Sequence, residues 1–392
     1  MRAAYVCFDS GVPVFGCKGS AIHVQEVLRA LARAGVAVEL FASRVEGTAP
    51  RDLAGIRVHG IPSARQRDAA ERERQSLAAD RSVAETLDQA GPFDFVYERY
   101  SLWTAAAMEF ATRRGIPGIL EVNAPLIEEQ IAYRRLVNRS AAEHWTVKAF
   151  TEAAAVVAVS REIADYVASV RGSRHDVHVI PNGVDLSRFP ADAQPSRPEP
   201  DLFTIGFLGS LKPWHGLFSV VDALEILARR DSRVRLLVVG EGPERAALEA
   251  ALASRGLAPL AEFTGAVDPA SVAGWLASMD AAVVPYSAEG AAYFSPLKLF
   301  EYMAAGLPIV ASAVGQAREV IAVNVTGLLC PPGDAAALAD TLERLRADAG
   351  LRKRLGATAR AHVVANHTWD HVARQILDIA RSCGACTMEK TG

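Results

Sequence analysis

The sequence has few features of a secreted, membrane-spanning or disulfide-stabilised protein. Five cysteines among 392 residues are few, odd in number and scattered, which fits a reducing compartment better than a disulfide framework. No apolar run approaches the roughly 20 residues of a membrane span, and the N-terminus lacks a signal-peptide cleavage pattern. We therefore expect a cytoplasmic protein.

The chain also lacks a strong charge of either sign. A net charge of −3 and a pI near 6.3 argue against nucleic acid as the main partner. A hydrophobic content of 50 % with 22 % charged residues is a globular composition, and the length allows two domains with full cores. The Ala- and Arg-rich usage indicates a bacterium with a GC-rich genome.

Two motifs of common enzyme classes are missing, and a third is incomplete. No Asp-x-Asp motif is present to hold a metal, and no G-x-G-x-x-G follows the first strand of either half, which disfavours a dinucleotide-dependent oxidoreductase. Cys383 and Cys386 form a C-x-x-C without a second pair or a histidine cluster. We interpret that pair as a tail without chemistry; its role stays open.

What the sequence does contain is two blocks of alternating strands and helices. Segments 3–8 and 203–208 are predicted first strands, and the Pro-rich stretch 195–201 is the best linker candidate. Repeated βα units predict an α/β fold with two doubly wound parallel sheets. Because ligands of such sheets bind beyond the carboxyl ends of the strands, two such domains would face each other across a cleft.

The stretch YFSPLKLFEYMAAGLPIVAS, residues 293–312, carries a lysine and a glutamate on an otherwise apolar helix. Ser295 can cap this helix and Pro296 suits its first turn. Lys298 would lie in the first turn, where the macrodipole disfavours a cation, so a bound phosphate is the expected partner. The alternative is a mutual i,i+3 pair between Lys298 and Glu301 on a surface helix.

Other glycine-rich segments follow predicted strands. They are FGCKGS (15–20), GSLKPWHG (209–216) and GEGP (240–243), and PNGVD (181–185) is compatible with an Asn-Gly turn. Taken singly, each is equally compatible with a tight turn that binds nothing. The charged segment 64–75 is interpreted as a solvated helix rather than a binding tract.

In order and spacing, these segments resemble the retaining nucleotide-sugar glycosyltransferases of family 4, which have the GT-B fold. The resemblance covers nearly the whole chain, from KGSAIHVQEVLRALARAG to SPLKLFEYMAAGLPIVAS and TWDHVARQILDI. It implies two Rossmann-like domains. Residues 1–194 would bind the acceptor, residues 201–367 would bind the donor, and a helix at 368–382 would cross back onto the first domain.

The resemblance also implies roles for individual residues. Glu301 would accept from the ribose hydroxyls, and Lys298 would contact the phosphate and, with Asn123, take part in catalysis. The other donor-binding candidates are Gly19, Ser20, Gly209, Ser210, Lys212, His215, Gly240, Val267, Tyr293, Phe294, Ser295, Pro296 and Leu297. The acceptor-side candidates are Glu121, Asn123 and Glu128.

Three positions depart from the family pattern. The arginine and lysine usual in the second block are Ser210 and His215 here, so Lys212, Lys298 and His215 would carry the phosphate charge. The first glutamate of the donor loop is replaced by Tyr293, with Glu289 as the alternative contact to the sugar. A histidine common after a central strand of the first domain is Asn123.

The expected reaction is transfer, with retention, of a sugar from a UDP or GDP sugar to a hydroxyl-bearing acceptor. That acceptor could be a small metabolite, a natural product or an envelope glycolipid. No metal and no cofactor beyond the nucleotide sugar is expected. The alternatives are a sugar-nucleotide epimerase and a non-catalytic sugar-nucleotide binder. Residues 133–139, with three arginines, could touch an anionic membrane, although a solvated face is the simpler interpretation.

Overall fold

The computed structural model describes residues 1–62, 68–287 and 293–391, with side chains up to 385. The chain divides into two compact units. The first comprises Met1–Asn182 and the C-terminal helix, and the second comprises Gly183–Thr368. In the described ranges, no helix is both long enough and apolar enough to cross a membrane.

The first unit contains a seven-stranded parallel sheet of order β3-β2-β1-β4-β5-β6-β7. Its strands are β1 (Arg2–Cys7), β2 (Ala37–Ala42), β3 (Arg57–Gly60), β4 (Phe95–Arg99), β5 (Gly118–Val122), β6 (Ala155–Ala158) and β7 (Val177–Val179). Its helices are α1 (Gly19–Arg33), α2 (Ala69–Ala90), α3 (Ala106–Arg114), α4 (Leu126–Tyr133), α5 (Arg139–Glu152), α6 (Arg161–Arg171) and the C-terminal α14 (Trp369–Thr391).

The second unit contains a six-stranded parallel sheet of order β10-β9-β8-β11-β12-β13. The strands are β8 (Phe203–Leu208), β9 (Val234–Val239), β10 (Ala261–Gly265), β11 (Ala281–Val284), β12 (Ile309–Ser312) and β13 (Leu328–Cys330). The helices are α7 (Leu217–Arg230), α8 (Arg245–Ser254), α9 (Val272–Leu276), α10 (Leu297–Ala304), α11 (Gly315–Val320), α12 (Ala335–Ala347) and α13 (Ala349–Asn366). The prediction of two doubly wound α/β units is confirmed.

The central strands are continuous apolar runs because helices cover both faces of a parallel sheet. β1 and β9 are buried along almost their whole length. The edge strands β3 and β7 have exposed residues and no buried apolar run, so the sequence did not indicate them.

The boundary between the units lies at Asn182 and Gly183, rather than in the Pro-rich stretch 195–201. The intervening segment packs on the second unit. Val184 forms a β-bridge with Thr368, and the Phe189 side chain is buried in the hydrophobic core of the second unit. The backbone N–H of Ser196 donates to the Gly274 carbonyl at 2.9 Å. Pro-rich composition therefore located a surface segment and not the domain boundary.

The segment predicted as a solvated charged helix is part of α2, and its residues 64–67 lie outside the described residues. Asp68 caps the helix, and Glu71 pairs with Arg74 at i,i+3 on its surface. Glu73 is instead buried, and its carboxylate accepts from the backbone N–H groups of Val137 and Asn138, each at 2.8 Å. The segment is therefore solvated on one face only.

Candidate active site

Helix α10 is the element that positions the lysine and the glutamate singled out in the sequence. It begins at Leu297, one residue later than expected, because Pro296 occupies the N-cap position and gives no side-chain cap. Ser295 is not the cap. Its hydroxyl donates to Gln316 Oε1 at 2.7 Å instead. The N-terminal N–H groups of α10 therefore have no side-chain cap.

The Lys298 amine lies in a buried aromatic setting and forms no ion pair with the residues that the structure describes. The residue is 8 % exposed, and Nζ lies 4.0 Å from the Phe207 ring centroid and 5.9 Å from that of Tyr286. Within the described residues, Nζ has no hydrogen-bond partner. Burial lowers the pKa of Lys298 to about 7, with Glu301 opposing that shift. The i,i+3 pair considered for the sequence does not form, since no ion pair joins these two side chains in the described part of the chain.

Glu301 lies one turn further along α10, and Arg188 is the cation nearest to it. Arg188 Nη1 is 3.9 Å from Glu301 Oε1, a distance longer than a good hydrogen bond. Burial raises the pKa of Glu301, while Arg188 and Lys298 lower it. The carboxylate is thus poised to accept further hydrogen bonds from a ligand.

The loop after β8 holds the predicted phosphate-binding residues 209–216. His215 is buried, and its Nδ1 lies 2.5 Å from the Ser210 carbonyl, which can only accept. Burial, helped by the charge of Lys298, lowers the pKa of His215 to about 2. Without a ligand His215 is therefore neutral at pH 7, and the prediction that it carries charge towards a bound phosphate stays a prediction. Lys212 is half-buried, with Nζ 5.7 Å from the Trp214 ring centroid.

Two of the predicted glycines allow a close backbone approach. Gly209 and Gly240 directly follow β8 and β9 and have φ values of 137° and 143°. A Cβ on Gly240 would lie 2.0 Å from the Gly209 carbonyl oxygen, and one on Gly209 would lie 3.0 Å from Lys298 Nζ. Only glycine keeps these strand ends together and leaves space beside the buried amine.

The remaining donor-side candidates lie on the same unit. Tyr293 and Phe294 are half-buried with ring centroids 4.4 Å apart, and Phe294 lies 6.3 Å from Trp214. Val267 is half-buried and packs against a hydrophobic cluster of the second unit that includes Leu299 and Phe300. Glu289, the alternative to Tyr293, lies outside the described residues.

The two candidates from the first glycine-rich loop open helix α1 in the other unit. Gly19 is the first residue of the helix and is exposed, and Ser20 is half-buried. Lys18 occupies the N-cap position and makes no side-chain capping bond. As with α10, the helix start lacks a side-chain cap.

The acceptor-side candidates have three different environments. Glu121 is 2 % exposed, and its two carboxylate oxygens accept from the Tyr97 hydroxyl and from Asn123 Nδ2. Asn123 is half-buried next to it, and Glu128 is exposed on α4. Direct contact of Glu121 with an acceptor stays a prediction, and the donors that already surround its carboxylate do not favour it.

Sequence reasoning missed several residues at these sites. Arg188, Phe207, Tyr286 and His23 were not among the candidates, although His23 lies in the segment KGSAIHVQEVLRALARAG. The His23 ring packs edge-on against Trp369 with ring centroids 5.2 Å apart. Only the three-dimensional fold brings them to the candidate residues. Among the described residues, no group of three or more potential metal ligands is present.

The segment proposed to touch a membrane connects α4 to α5. Arg134 and Arg135 are exposed, Tyr133 and Val137 are exposed apolar side chains, and Arg139 pairs with Glu143 at 2.7 Å. Membrane contact stays a prediction, and sedimentation with anionic vesicles tests it.

The sequence matches two models of protein families. Residues 18–188 match glycosyltransferase family 4, and residues 203–348 match glycosyl transferases group 1. A D-inositol 3-phosphate glycosyltransferase of Xylanimonas cellulosilytica is 31 % identical over 391 residues, covering 92 % of this chain and 91 % of that protein. The Frankia alni protein of the same name is 30 % identical, covering 92 % and 93 %.

Solved structures share the fold over almost the whole chain. Sucrose-phosphate synthase from Thermosynechococcus elongatus superimposes with a TM-score of 0.73 at 20 % identity, covering 98 % of this chain and 99 % of the other. The Anabaena protein HepE, in a complex with UDP and glucose, gives 0.72 at 17 % identity, covering 97 % and 100 %. At these identities the likeness extends to the fold alone.

Proposed function

Because the chain belongs to the family 4 glycosyltransferases of GT-B fold, we propose that it transfers a sugar, with retention and without a metal, from a nucleoside diphosphate sugar to a hydroxyl-bearing acceptor. The nucleotide is UDP or GDP, and UDP is favoured by its presence in the HepE complex. The names of the relatives favour a small phosphorylated polyol as the acceptor over a glycolipid.

The observation that carries this proposal is the buried amine of Lys298, which has no hydrogen-bond partner among the residues that the structure describes. A buried cation with no counter-ion is costly unless a ligand supplies one. A diphosphate fits, because Lys298 lies in the first turn of α10, whose backbone N–H groups favour an anion. Glu301, three residues along, would accept from the ribose hydroxyls of the same nucleotide.

Catalysis in this proposal is the stabilisation of the leaving diphosphate. As the glycosidic bond breaks, negative charge grows on the bridging phosphate oxygen, and a buried ammonium stabilises that charge more strongly than one in water. The acceptor hydroxyl then loses its proton to the departing phosphate, so the protein needs no general base of its own. The neutral His215 would only support the loop around Lys298.

The test is a reaction of the wild-type protein with UDP-glucose, UDP-galactose, UDP-N-acetylglucosamine and GDP-mannose, each with a panel of inositol phosphates and other sugar phosphates. Chelator is present in one arm. We expect nucleoside diphosphate release that depends on acceptor and tolerates chelator, with an α-anomeric product by NMR. An isomerised sugar nucleotide would indicate an epimerase, and binding without turnover would indicate a non-catalytic protein. A product with the inverted anomeric configuration would contradict retention.

A further inference from the structure

A largely buried polar cluster lies at the ends of β4 and β5 in the first unit. It comprises Tyr97 and Arg99 from β4, Glu121 from β5, Asn123 just after β5 and His23 from α1, and we call it the Glu121 cluster. Glu121 Oε2 accepts from the Tyr97 hydroxyl at 2.5 Å. Glu121 Oε1 accepts from Asn123 Nδ2 at 2.8 Å and lies 3.4 Å from both Arg99 Nη1 and His23 Nε2. Both oxygens of this carboxylate therefore accept from protein donors.

The histidine of the cluster has one defined role. Arg99 Nη1 lies 3.3 Å from His23 Nδ1, and since arginine can only donate, Nδ1 accepts. Nε2 then carries the proton and faces Glu121. Burial lowers the pKa of His23 to about 4, so the ring is neutral at pH 7 and does not offer a proton to substrate.

The amide of Asn123 is held in one orientation by this arrangement. Its Nδ2 faces a carboxylate oxygen, and the flipped amide would place two acceptors 2.8 Å apart. The other end of the amide, Oδ1, is buried and has no hydrogen-bond partner among the described residues. Such an acceptor needs a donor, and in the described residues none is supplied.

We propose that Glu121 is a positioning residue, which fixes the Asn123 amide so that its Oδ1 selects a substrate hydroxyl. This rests on the proposed function and deepens it, because it names the contact that Asn123 makes. A hydroxyl can donate to Oδ1, whereas a fluorine or a carbonyl in its place can only accept. Glu121 itself does not touch the substrate.

The test has one arm that does not depend on turnover. The chain has five asparagines, so selective ¹⁵N-asparagine labelling gives five side-chain NH₂ groups, and Asn123→Asp assigns the one of interest. We expect slowed hydrogen exchange of the Asn123 NH₂ in the wild type and in Glu121→Gln, whose side-chain oxygen can still accept. Exchange should be fast in Glu121→Leu. Equal exchange in the wild type and Glu121→Leu would overturn the proposal.

The second arm measures kcat/KM with the sugar nucleotide and acceptor found for the wild type. We expect Glu121→Leu and Asn123→Leu each to lower kcat/KM about tenfold, with no further loss in the double variant and near wild-type activity in Glu121→Gln. Glu98→Leu, which removes a different buried carboxyl group, on β4, is the control for folding and should not change the KM for the hydroxylated substrate.

A third measurement, with modified substrates, distinguishes the selection of a hydroxyl from a loss of activity that is caused only by damage to the structure. Replacing the contacted hydroxyl by fluorine should lower kcat/KM about tenfold in the wild type and leave Asn123→Leu unchanged. Additive losses for every hydroxyl of both substrates would overturn the proposal. A wild-type protein that is inactive on all sugar nucleotides would count against the proposed function, while the exchange measurement would still decide the role of Glu121.

Discussion

At the scale of single residues, the buried amine of Lys298 should cost the free protein stability. Its pKa is lowered from 10.5 to about 7, so the unfolded chain binds a proton that the folded chain lacks between these values. Lys298→Met should raise the free energy of unfolding by up to about 4 kcal/mol near pH 7. This gain should shrink as the pH rises towards 10, because removing the proton from the unfolded lysine, which folding requires, costs less free energy as the pH approaches 10.5.

Denaturant unfolding at pH 7 and pH 9.5 measures both expectations. Lys353→Met, on the exposed face of α13, is the matched control and should change stability little. A loss of stability in Lys298→Met would mean that the amine has a partner in the free protein.

Glu301 should govern affinity for the nucleotide rather than stability of the fold. Hydrogen bonds to a charged group contribute roughly 1.5–3 kcal/mol, so Glu301→Ala should weaken binding of the nucleoside diphosphate about tenfold or more. Calorimetric titration of the folded variant measures this. The exposed Glu249→Ala serves as the control, and an unchanged Kd for Glu301→Ala would refute the ribose assignment.

Tyr293 replaces the carboxylate expected in the donor loop, and a phenol can donate as well as accept. If its hydroxyl contacts the donor sugar, Tyr293→Phe should lower kcat/KM by the factor that corresponds to the loss of one neutral hydrogen bond, which contributes roughly 0.5–1.5 kcal/mol. Affinity for the bare nucleoside diphosphate should not change. Equal kcat/KM for both enzymes, with a large loss in Glu289→Gln, would assign the contact to Glu289.

At the scale of elements, the loop between β8 and α7 depends on a glycine at its end. Gly216 has φ +64°, and a Cβ there would lie 2.0 Å from the Pro285 carbonyl oxygen. Gly256 has a similar φ of +70°, but a Cβ there would meet no atom within 4 Å. Comparing alanine substitutions at the two glycines therefore separates the cost of the steric clash from the cost of the positive φ. Gly216→Ala should destabilise the protein at least about 2 kcal/mol more than Gly256→Ala, measured by chemical unfolding. Equal losses would contradict the close packing of this loop.

The sequence predicted the central elements well, because buried apolar runs and glycine stops are local signals. β8 has the predicted bounds, β1 begins and ends one residue before the predicted segment 3–8, and Gly306 follows the C-cap of α10 with φ +71°. The cap of α10 was mispredicted because Gln316, a residue distant in sequence, binds the Ser295 hydroxyl.

The sequence predicted which loops form the candidate site, but it did not predict the burial and the interaction partners of the charged and polar side chains there. The environments of His215 and Glu121 depend on tertiary burial, and no local pattern shows it. The partners of Lys298 and Glu301 are equally non-local, since Phe207 and Arg188 come from other segments of the second unit.

At the scale of the whole molecule, the two units share a chain that passes between them twice. The residues next to the two passages are hydrogen-bonded to each other, since the Val184 N–H donates to the His367 carbonyl at 2.9 Å. After the second passage, α14 packs on α1 in the first unit, where Arg33 pairs with Asp370. Each unit thus has its own parallel sheet.

The central claim is that the buried amine of Lys298 binds the diphosphate of the donor. The direct measurement is calorimetric titration of UDP and GDP at pH 8, in two buffers of different ionisation enthalpy. At that pH a lysine of pKa about 7 is mostly neutral, so binding should take up about one proton in the wild type and none in Lys298→Met, which should also bind more weakly. Binding of equal affinity and equal proton uptake by both proteins would contradict the account.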